Sequence, residues 1–306
     1  LTPKPEVVTL ERLRDHFQGE TAAFCSAAIS AQVKNRFGVR TLDTLPATGL
    51  GTLLTVGGGS RMDQAKRWRT EHSPTTRLIV IPSLWGSGAE VSPIVAITEG
   101  ADKHIGMGPQ FLPDYRAVWP ELALSIPLKT AVYACGDSWS HALEGFLSPL
   151  ANDAVREELA EVIRTLTVLP LGNDPRWFEA SARACAGQAK ASVGLVHGIA
   201  HTLEGQLATG GYAGWGHARL CATYLYPVMA YNVSCNHKWP EMAAKHRLDT
   251  AAIDAILRQL FDADDYRSIL PVLEASWPKV IRDVSSRTNS ALVRPAALDF
   301  FRKVAA

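Results

Sequence analysis

Short apolar runs closed by glycine or proline mark the first part of the chain. Residues 21–25, 52–56 (Thr-Leu-Leu-Thr-Val) and 77–81 (Arg-Leu-Ile-Val-Ile) read as strands, because unbroken apolar runs of this length suit a parallel sheet buried on both faces. Periodicity alone also admits buried helix at these lengths. Between the runs, residues 27–37 and 62–71 have helical composition, and strand, turn, helix, strand is the βαβ unit of an α/β domain. From Leu128 the pattern changes to long Ala-, Leu- and Glu-rich segments. Helices are predicted over 130–146, 153–166, 175–207, 218–231, 240–245, 250–261, 266–273 and 278–286. The expected architecture is α/β plus all-α. Residues 1–127 form an α/β domain with a parallel sheet, residues 128–306 form a helical domain, and the boundary falls near Ile126-Pro127. No internal repeat or low-complexity tract interrupts either part.

Composition narrows the class. With 306 residues and 47% hydrophobic side chains the chain can bury a core for two domains or one large one, and this hydrophobicity argues against disorder. Lys plus Arg is 31 and Asp plus Glu is 30, a balance that argues against an electrostatic nucleic-acid binder. The apolar stretches fall short of the roughly 18–20 residues a membrane helix needs, so no membrane span is expected. The first residues lack the charged-then-apolar pattern of a signal peptide. Five cysteines, Cys25, Cys135, Cys185, Cys221 and Cys235, form no C-x-x-C pair. They read as buried or half-buried thiols of a reduced, cytoplasmic protein.

Two glycine loops stand at the ends of predicted strands. In Thr55-Val56-Gly57-Gly58-Gly59-Ser60, three glycines let the backbone approach a ligand, and the following helix N-terminus adds partial positive charge. Such a turn suits a pyrophosphate, with Asp63 and Lys66 in the first turns placed to cap or position it. A plain strand-to-helix turn has the same glycines, and the G-x-G-x-x-G fingerprint is absent. The second loop, Pro82-Ser83-Leu84-Trp85-Gly86-Ser87-Gly88-Ala89-Glu90, would lie beside the first at the carboxyl edge of a parallel sheet, where open α/β sheets bind ligands. Gly57, Gly58, Gly59, Ser60, Asp63, Ser83 and Ser87 are the candidate cofactor-binding residues.

Histidines and one aspartate carry the candidate chemistry. Asp137 and His141 are spaced i, i+4, as are His197 and His201, so each pair shares a helix face. His217 follows in Trp-Gly-His-Ala after a glycine-rich loop. A carboxylate and imidazoles from different helices can build a divalent-metal site, whereas a lone buried histidine is more often a satisfied core residue. His16, His72, His104, His237 and His246 sit among charged or polar neighbours and are expected to be solvated.

Together these residues resemble the iron-containing (group III) alcohol dehydrogenase family. The resemblance runs over about residues 50–247. It is carried by Gly57-Gly58-Gly59-Ser60-x-x-Asp63-x-Ala65-Lys66 and by Pro82-x-x-x-Gly86-x-Gly88-x-Glu90-Val91-Ser92-Pro93. Pro113-Asp114 and Pro120-Glu121-Leu122-x-Leu124-Ser125-x-Pro127 follow. Then come Asp137-x-x-x-His141-Ala142-x-Glu144, Val196-His197-Gly198-x-Ala200-His201, His217 and Tyr226-Pro227-Val228-Met229-x-Tyr231-Asn232. Only 56 residues precede Gly57, so the N-terminal region is shortened relative to the family.

The resemblance implies a Rossmann-like nucleotide-binding domain, a helical metal-binding domain and an active site between them. It implies a divalent ion, Fe(2+) or alternatively Zn(2+), held by Asp137, His141, His197 and His217. It also implies NAD or NADP as cofactor and His201 as the catalytic residue beside the substrate. The expected activity is that of an NAD(P)-linked alcohol dehydrogenase or aldehyde reductase, acting on a small-molecule aldehyde or alcohol. A homodimer is expected, without a nucleic-acid or membrane partner. Two alternatives stay open. One is a reductase of a small acidic carbonyl compound, of the phosphonoacetaldehyde or maleylacetate kind, to which Thr98-Glu99-Gly100, Lys103, His104 and Arg219 point. The other is a non-redox metal-binding homologue without cofactor, to which the shortened N-terminus and Trp85 point.

Overall fold

The computed structural model describes residues 5–99, 102–212 and 214–305. Strands β1 (Glu6–Val7), β2 (Thr21–Cys25), β3 (Arg40–Leu42), β4 (Thr52–Gly57) and β5 (Arg77–Pro82) come first. The hairpin β6 (Ile94–Glu99) and β7 (Asp102–Met107) and then β8 (Tyr115–Arg116) follow. Six strands form one parallel sheet in the order β1-β8-β5-β4-β2-β3, and β6-β7 stand apart as an antiparallel pair. Helices α1 (Ala27–Phe37) and α2 (Gly59–His72) make the crossovers from β2 and from β4. Of the sheet, β2, β4 and β5 are the predicted strands, and both crossover helices are where the composition puts them.

The apolar runs are continuous because both sheet faces are covered. Ala22, Phe24, Leu53, Leu78 and Val80 pack toward α2 with Met62, Ala65 and Trp68. Their neighbours Ala23, Cys25, Leu54, Val56, Ile79 and Ile81 join a second core with Val33, Phe37 and the helical half. Strands with two buried faces lose the polar alternation of a one-sided sheet.

Every described helix after Leu128 belongs to an all-helical assembly: α3 (Leu128–Leu147), α4 (Asp153–Thr167), α5 (Trp177–Gln188), α6 (Leu195–Thr209), α7 (His217–Cys235), α8 (Lys238–Lys245), α9 (Thr250–Leu260), α10 (Ala263–Val280), α11 (Val284–Arg287) and α12 (Leu298–Ala305). Side-chain caps start several of them. Asn152 accepts from Val155 N–H, Asp249 from Ala251 and Ala252, and Asp262 from Asp264 and Asp265. No helix among the described residues is long and apolar enough to cross a membrane.

The structure corrects several expectations. The helix expected over 175–207 is broken into α5 and α6 by the residues between Gln188 and Leu195. At the break, Gly194 approaches so closely that a Cβ would lie 2.8 Å from Glu144 Oε1 and 2.9 Å from Asn289 Oδ1. Two expected helices over 266–273 and 278–286 instead form α10, which runs through Pro271 and Pro278, and the short α11. His246 is not solvated: it is buried, bonds Glu157 at 2.8 Å and packs against Phe146. Cys235 is exposed, and the other four cysteines are buried free thiols.

Two close contacts fix the surroundings of Asp137, one from the sheet half of the chain and one between two helices. Gly86, after β5, has φ 107°, and a Cβ there would lie 3.1 Å from Asp137 Oδ2. Only glycine takes that backbone and that approach without strain. In the same way, a Cβ on Gly136 would lie 2.5 Å from Ala222 Cβ, so α3 and α7 touch one residue away from Asp137 and Cys221.

Candidate metal and cofactor site

Asp137 on α3 is the hub on which three helices converge. Its Oδ1 lies 3.6 Å from His141 Nε2, 3.7 Å from His197 Nε2 and 3.8 Å from His217 Nε2. The i, i+4 spacing on α3 supplies the first contact, α6 delivers His197, and His217 is the first residue of α7. Asp137 and His197 are each 2% exposed, yet among the described residues nothing hydrogen-bonds Asp137 Oδ1 or His197 Nε2. Buried polar atoms without partners cost free energy unless something else satisfies them. A cation between these atoms would do so, and one carboxylate with imidazole nitrogens is a fitting donor set for a divalent ion. Burial pushes the Asp137 carboxyl up, but His217, His141 and His197 outweigh it and hold the group below its usual value. Burial, with His197 beside it, pushes His141 down to about 3, so its ring is neutral and able to donate a lone pair.

Acidic side chains behind the histidines set their orientation. Glu144 Oε2 lies 2.6 Å from His197 Nδ1, while Oε1 accepts from Val196 N–H at 2.6 Å. The Nδ1 proton is thereby held toward Glu144, and the Nε2 lone pair faces Asp137. Glu204 Oε2 lies 3.6 Å from His217 Nδ1 in the same relation. Glu144 enters the sequence reading only as part of the motif Asp137-x-x-x-His141-Ala142-x-Glu144, without a role, and Glu204 does not enter it, although Glu144 is seven residues after Asp137 on the same helix face. Cys221 is read from sequence only as a buried or half-buried thiol. It is four residues after His217 on α7, and its Sγ lies 3.6 Å from His217 Nε2.

His201 is one turn beyond His197, with ring centroids 5.7 Å apart, and it stacks on His217 at 5.4 Å. Its Nδ1 lies 3.4 Å from Ser285 Oγ. It is half-buried and lines a cleft of about 690 Å³ that runs from the histidine cluster to the first glycine turn. Gly59, Ser60, Asp63 and Ser87 line the far end, whereas Gly57, Gly58 and Ser83 do not. Gly58 is nonetheless the open point of the turn, because a Cβ built there meets nothing within 4 Å. A Cβ on Gly59 would instead collide with Ser87 Oγ at 2.5 Å, so the two glycine loops touch as expected. Gly58 caps α2 without any side-chain capping bond, and such a helix start favours an anion.

Lys66 does not face the ligand side. It is fully buried and donates to Ser92 O and Ile94 O, both at 3.1 Å, and to Asp63 Oδ1 at 3.3 Å. Asp63 Oδ2 accepts from Ala96 N–H at 2.9 Å. The pair thus ties α2 to the β6–β7 hairpin, whose Ile94, Ala96, Ile97, Ile105 and Met107 form one cleft wall. Trp85 packs edge-to-face on Phe178 and donates to Ala131 O at 3.3 Å, and the cleft stays open beside it. Arg219 lines the cleft with its guanidinium paired to both Asp265 oxygens, at 2.7 and 2.9 Å, and stacked over Trp215. Of the residues that pointed to an acidic substrate, His104 is exposed, Gly100 lies outside the described residues, and so do the side chains of Thr98, Glu99 and Lys103.

Comparison with known proteins bears on the whole arrangement. No protein-family profile matches the sequence. The chain is 29% identical over 271 residues to the 1-propanol dehydrogenase PduQ of Salmonella typhimurium, covering 79% of this chain and 70% of that one. It is 28% identical over 193 residues to the maleylacetate reductase of Pseudomonas knackmussii, covering 59% of this chain and 51% of that one. The chain thus spans about half the length of that reductase. In structure it is similar to an iron-containing alcohol dehydrogenase from Thermococcus thioreducens, with TM-score 0.75, 19% identity and coverage of 99% of this chain and 98% of the other.

Proposed function

We propose that this chain, which belongs to the iron-containing alcohol dehydrogenase family, is a metal-dependent NAD(P)-linked alcohol dehydrogenase or aldehyde reductase. One observation carries the reading: three imidazole nitrogens converge on a buried carboxylate oxygen at one end of a cleft whose other end is a glycine turn opening a helix. In this reading Asp137, His141, His197 and His217 hold the ion, iron(II) or zinc. Gly58, Gly59, Ser60 and Ser87 face the nicotinamide dinucleotide, Gly57 and Ser83 shape the two turns behind them, and Asp63 acts through the hairpin wall. Residues 1–127 serve as the nucleotide-binding domain and residues 128–306 as the metal-binding domain.

When bound, the ion supplies Lewis acidity toward a carbonyl or hydroxyl oxygen, and the nicotinamide supplies hydride chemistry. The chain's own residues do the rest. Asp137 brings negative charge to the centre and the imidazoles bring neutral donors, fixed by Glu144 and Glu204. The apolar walls from Ile94, Ile97, Met107 and Val193 narrow access of water to the reacting end. His201, with Nδ1 toward Ser285, moves a proton at Nε2 to or from the substrate oxygen.

The cleft favours a small neutral aldehyde or alcohol over an acidic carbonyl compound. Among the described residues the cleft lining has one guanidinium, Arg219, and Asp265 already pairs with it in bidentate geometry. The four buried free thiols support a reducing, cytoplasmic setting. The homodimer follows from the resemblance.

The test is metal analysis of purified protein, then titration with NADH and NADPH, then a panel of neutral and anionic aldehydes. The reading expects one divalent ion per chain, binding of at least one nicotinamide and preferential reduction of neutral aldehydes. Stoichiometric metal with no nicotinamide affinity would overturn the dehydrogenase and leave a metal-binding protein without redox activity.

A further inference from the structure

We propose that Cys221 is a ligand of the metal centre, and that its sulfur biases the centre toward a thiophilic ion, zinc, over iron(II). The inference rests on the metal-centre reading above and adds a donor that the sequence pattern did not supply.

Asp137 Oδ1, His197 Nε2, His217 Nε2 and Cys221 Sγ all lie within 4.8 Å of one another. The spacing can be compared with what a tetrahedral ion requires. With bonds of about 2.3 Å to sulfur and about 2.05 Å to nitrogen, a sulfur and a nitrogen on one tetrahedral zinc lie about 3.6 Å apart. Cys221 Sγ and His217 Nε2 are 3.6 Å apart. For oxygen and nitrogen the same geometry gives about 3.4 Å. Asp137 Oδ1 is 3.7 Å from His197 Nε2 and 3.8 Å from His217 Nε2, a few tenths wider. Octahedral neighbours at right angles would need separations nearer about 3 Å, so the cage is closer to the shape zinc prefers.

The position of Cys221 is imposed by packing. It is fully buried, four residues after His217 on the same helix face. The approach of Gly136 to Ala222 locks that face of α7 against α3 beside Asp137. The buried Asp137 Oδ1 and His197 Nε2, which have no hydrogen-bond partner among the described residues, point to an ion at this place by themselves. A thiolate selects for zinc over iron(II) through softness. In the tetrahedral form Cys221 stands in place of His141, whose Nε2 is 3.6 Å from Asp137 Oδ1 but is not one of the four mutually close donor atoms.

Cobalt(II), a spectroscopic stand-in for zinc, tests this in the full chain. Wild-type protein loaded with one equivalent should show thiolate-to-cobalt charge-transfer absorption in the near ultraviolet. Cys221→Ser and Cys221→Ala should still bind cobalt without that band. Both should lose zinc affinity by about 100-fold, the upper end of what removing even an indirect support costs a metal site. Iron(II) affinity should change less, so the preference for zinc over iron narrows. Melting curves of the metal-free variants check folding, and the wild-type spectrum stands even if both variants fail. Cobalt bound by wild type without the band overturns the cysteine ligand and leaves the centre of Asp137 and the histidines in place. The same holds for a serine variant with unchanged zinc affinity. Wild type that binds neither cobalt nor zinc overturns the metal centre itself.

Discussion

Glu144→Gln is the substitution that separates the two ways of reading the histidine cluster. If the cluster holds a metal, Glu144 is the residue that decides which nitrogen of His197 has the free lone pair. It accepts two bonds at once, from His197 Nδ1 at 2.6 Å and from Val196 N–H at 2.6 Å, and it is buried. Glutamine has a single acceptor oxygen. If that oxygen stays with Val196, the amide NH₂ faces Nδ1 and favours the tautomer with a proton on Nε2. That proton would point at Asp137 Oδ1, 3.7 Å away, where the ion has to sit. Loss of such an orienting partner costs metal sites about 10–100-fold in affinity, or roughly 1.4–2.7 kcal/mol. If the oxygen turns to His197 instead, Val196 N–H loses its acceptor, at a cost of about 1–3 kcal/mol in folding stability. The assay is competition for zinc against a chromophoric chelator, with a melting curve of the metal-free protein alongside. The reasoning expects weaker zinc binding, with or without a lower midpoint. Wild-type zinc affinity in a protein of wild-type stability would refute it, because His197 would then need no fixed tautomer.

Gly58→Val should weaken NAD(P)H binding and leave metal content unchanged. Gly58 has φ −83° and an open Cβ position, so valine fits the free protein and any loss comes from the ligand side; equal affinity by fluorescence titration would show the turn to be only structural. Lys66→Met should destabilise the fold by about 3–5 kcal/mol, because it removes a buried ammonium that bonds Asp63 Oδ1, Ser92 O and Ile94 O at once. An unchanged urea midpoint would mean that the hairpin is anchored some other way. His201→Ala should keep metal and cofactor while kcat falls on the order of 100-fold and the pH–rate profile flattens near neutrality. A lower melting point with unchanged kcat per folded molecule would reduce His201 to a packing residue, and loss of metal would make it a ligand.

How much of this was legible in the chain follows from which forces act locally. Strands β2, β4 and β5 show in the sequence because burial on both faces demands apolar residues without gaps. The two i, i+4 pairs show because helical geometry alone puts each pair on one face. The hairpin β6–β7 is different. It stands outside the main sheet, its Ile105 and Met107 are exposed, and it is held to α2 by Lys66 and Asp63. Nothing in its own alternation reveals an anchor 26 to 33 residues upstream. That same anchor is why Lys66 was misread: a lysine in the first turns of a helix after a glycine turn looks like a phosphate ligand until its carbonyl partners are known.

The break between α5 and α6 has the same kind of origin. The segment Ala189-Lys190-Ala191-Ser192-Val193-Gly194 contains no proline, and most of it is compatible with helix. What stops the helix is tertiary. Gly194 is pressed against Glu144 and Asn289, and Asn289 Oδ1 accepts from Leu195 N–H at 3.2 Å, satisfying one of the exposed donors at the start of α6. Had α5 run on, the 100° step per residue would have carried His197 past the face it now presents to Asp137. The break therefore sets the rotation of α6, and Glu144 takes part in both events: it lies against Gly194 where the helix restarts and it bonds His197 one turn later. One buried carboxylate thus couples the register of the helix to the tautomer of its histidine. A substitution there is expected to disturb the centre even when every candidate ligand is left in place.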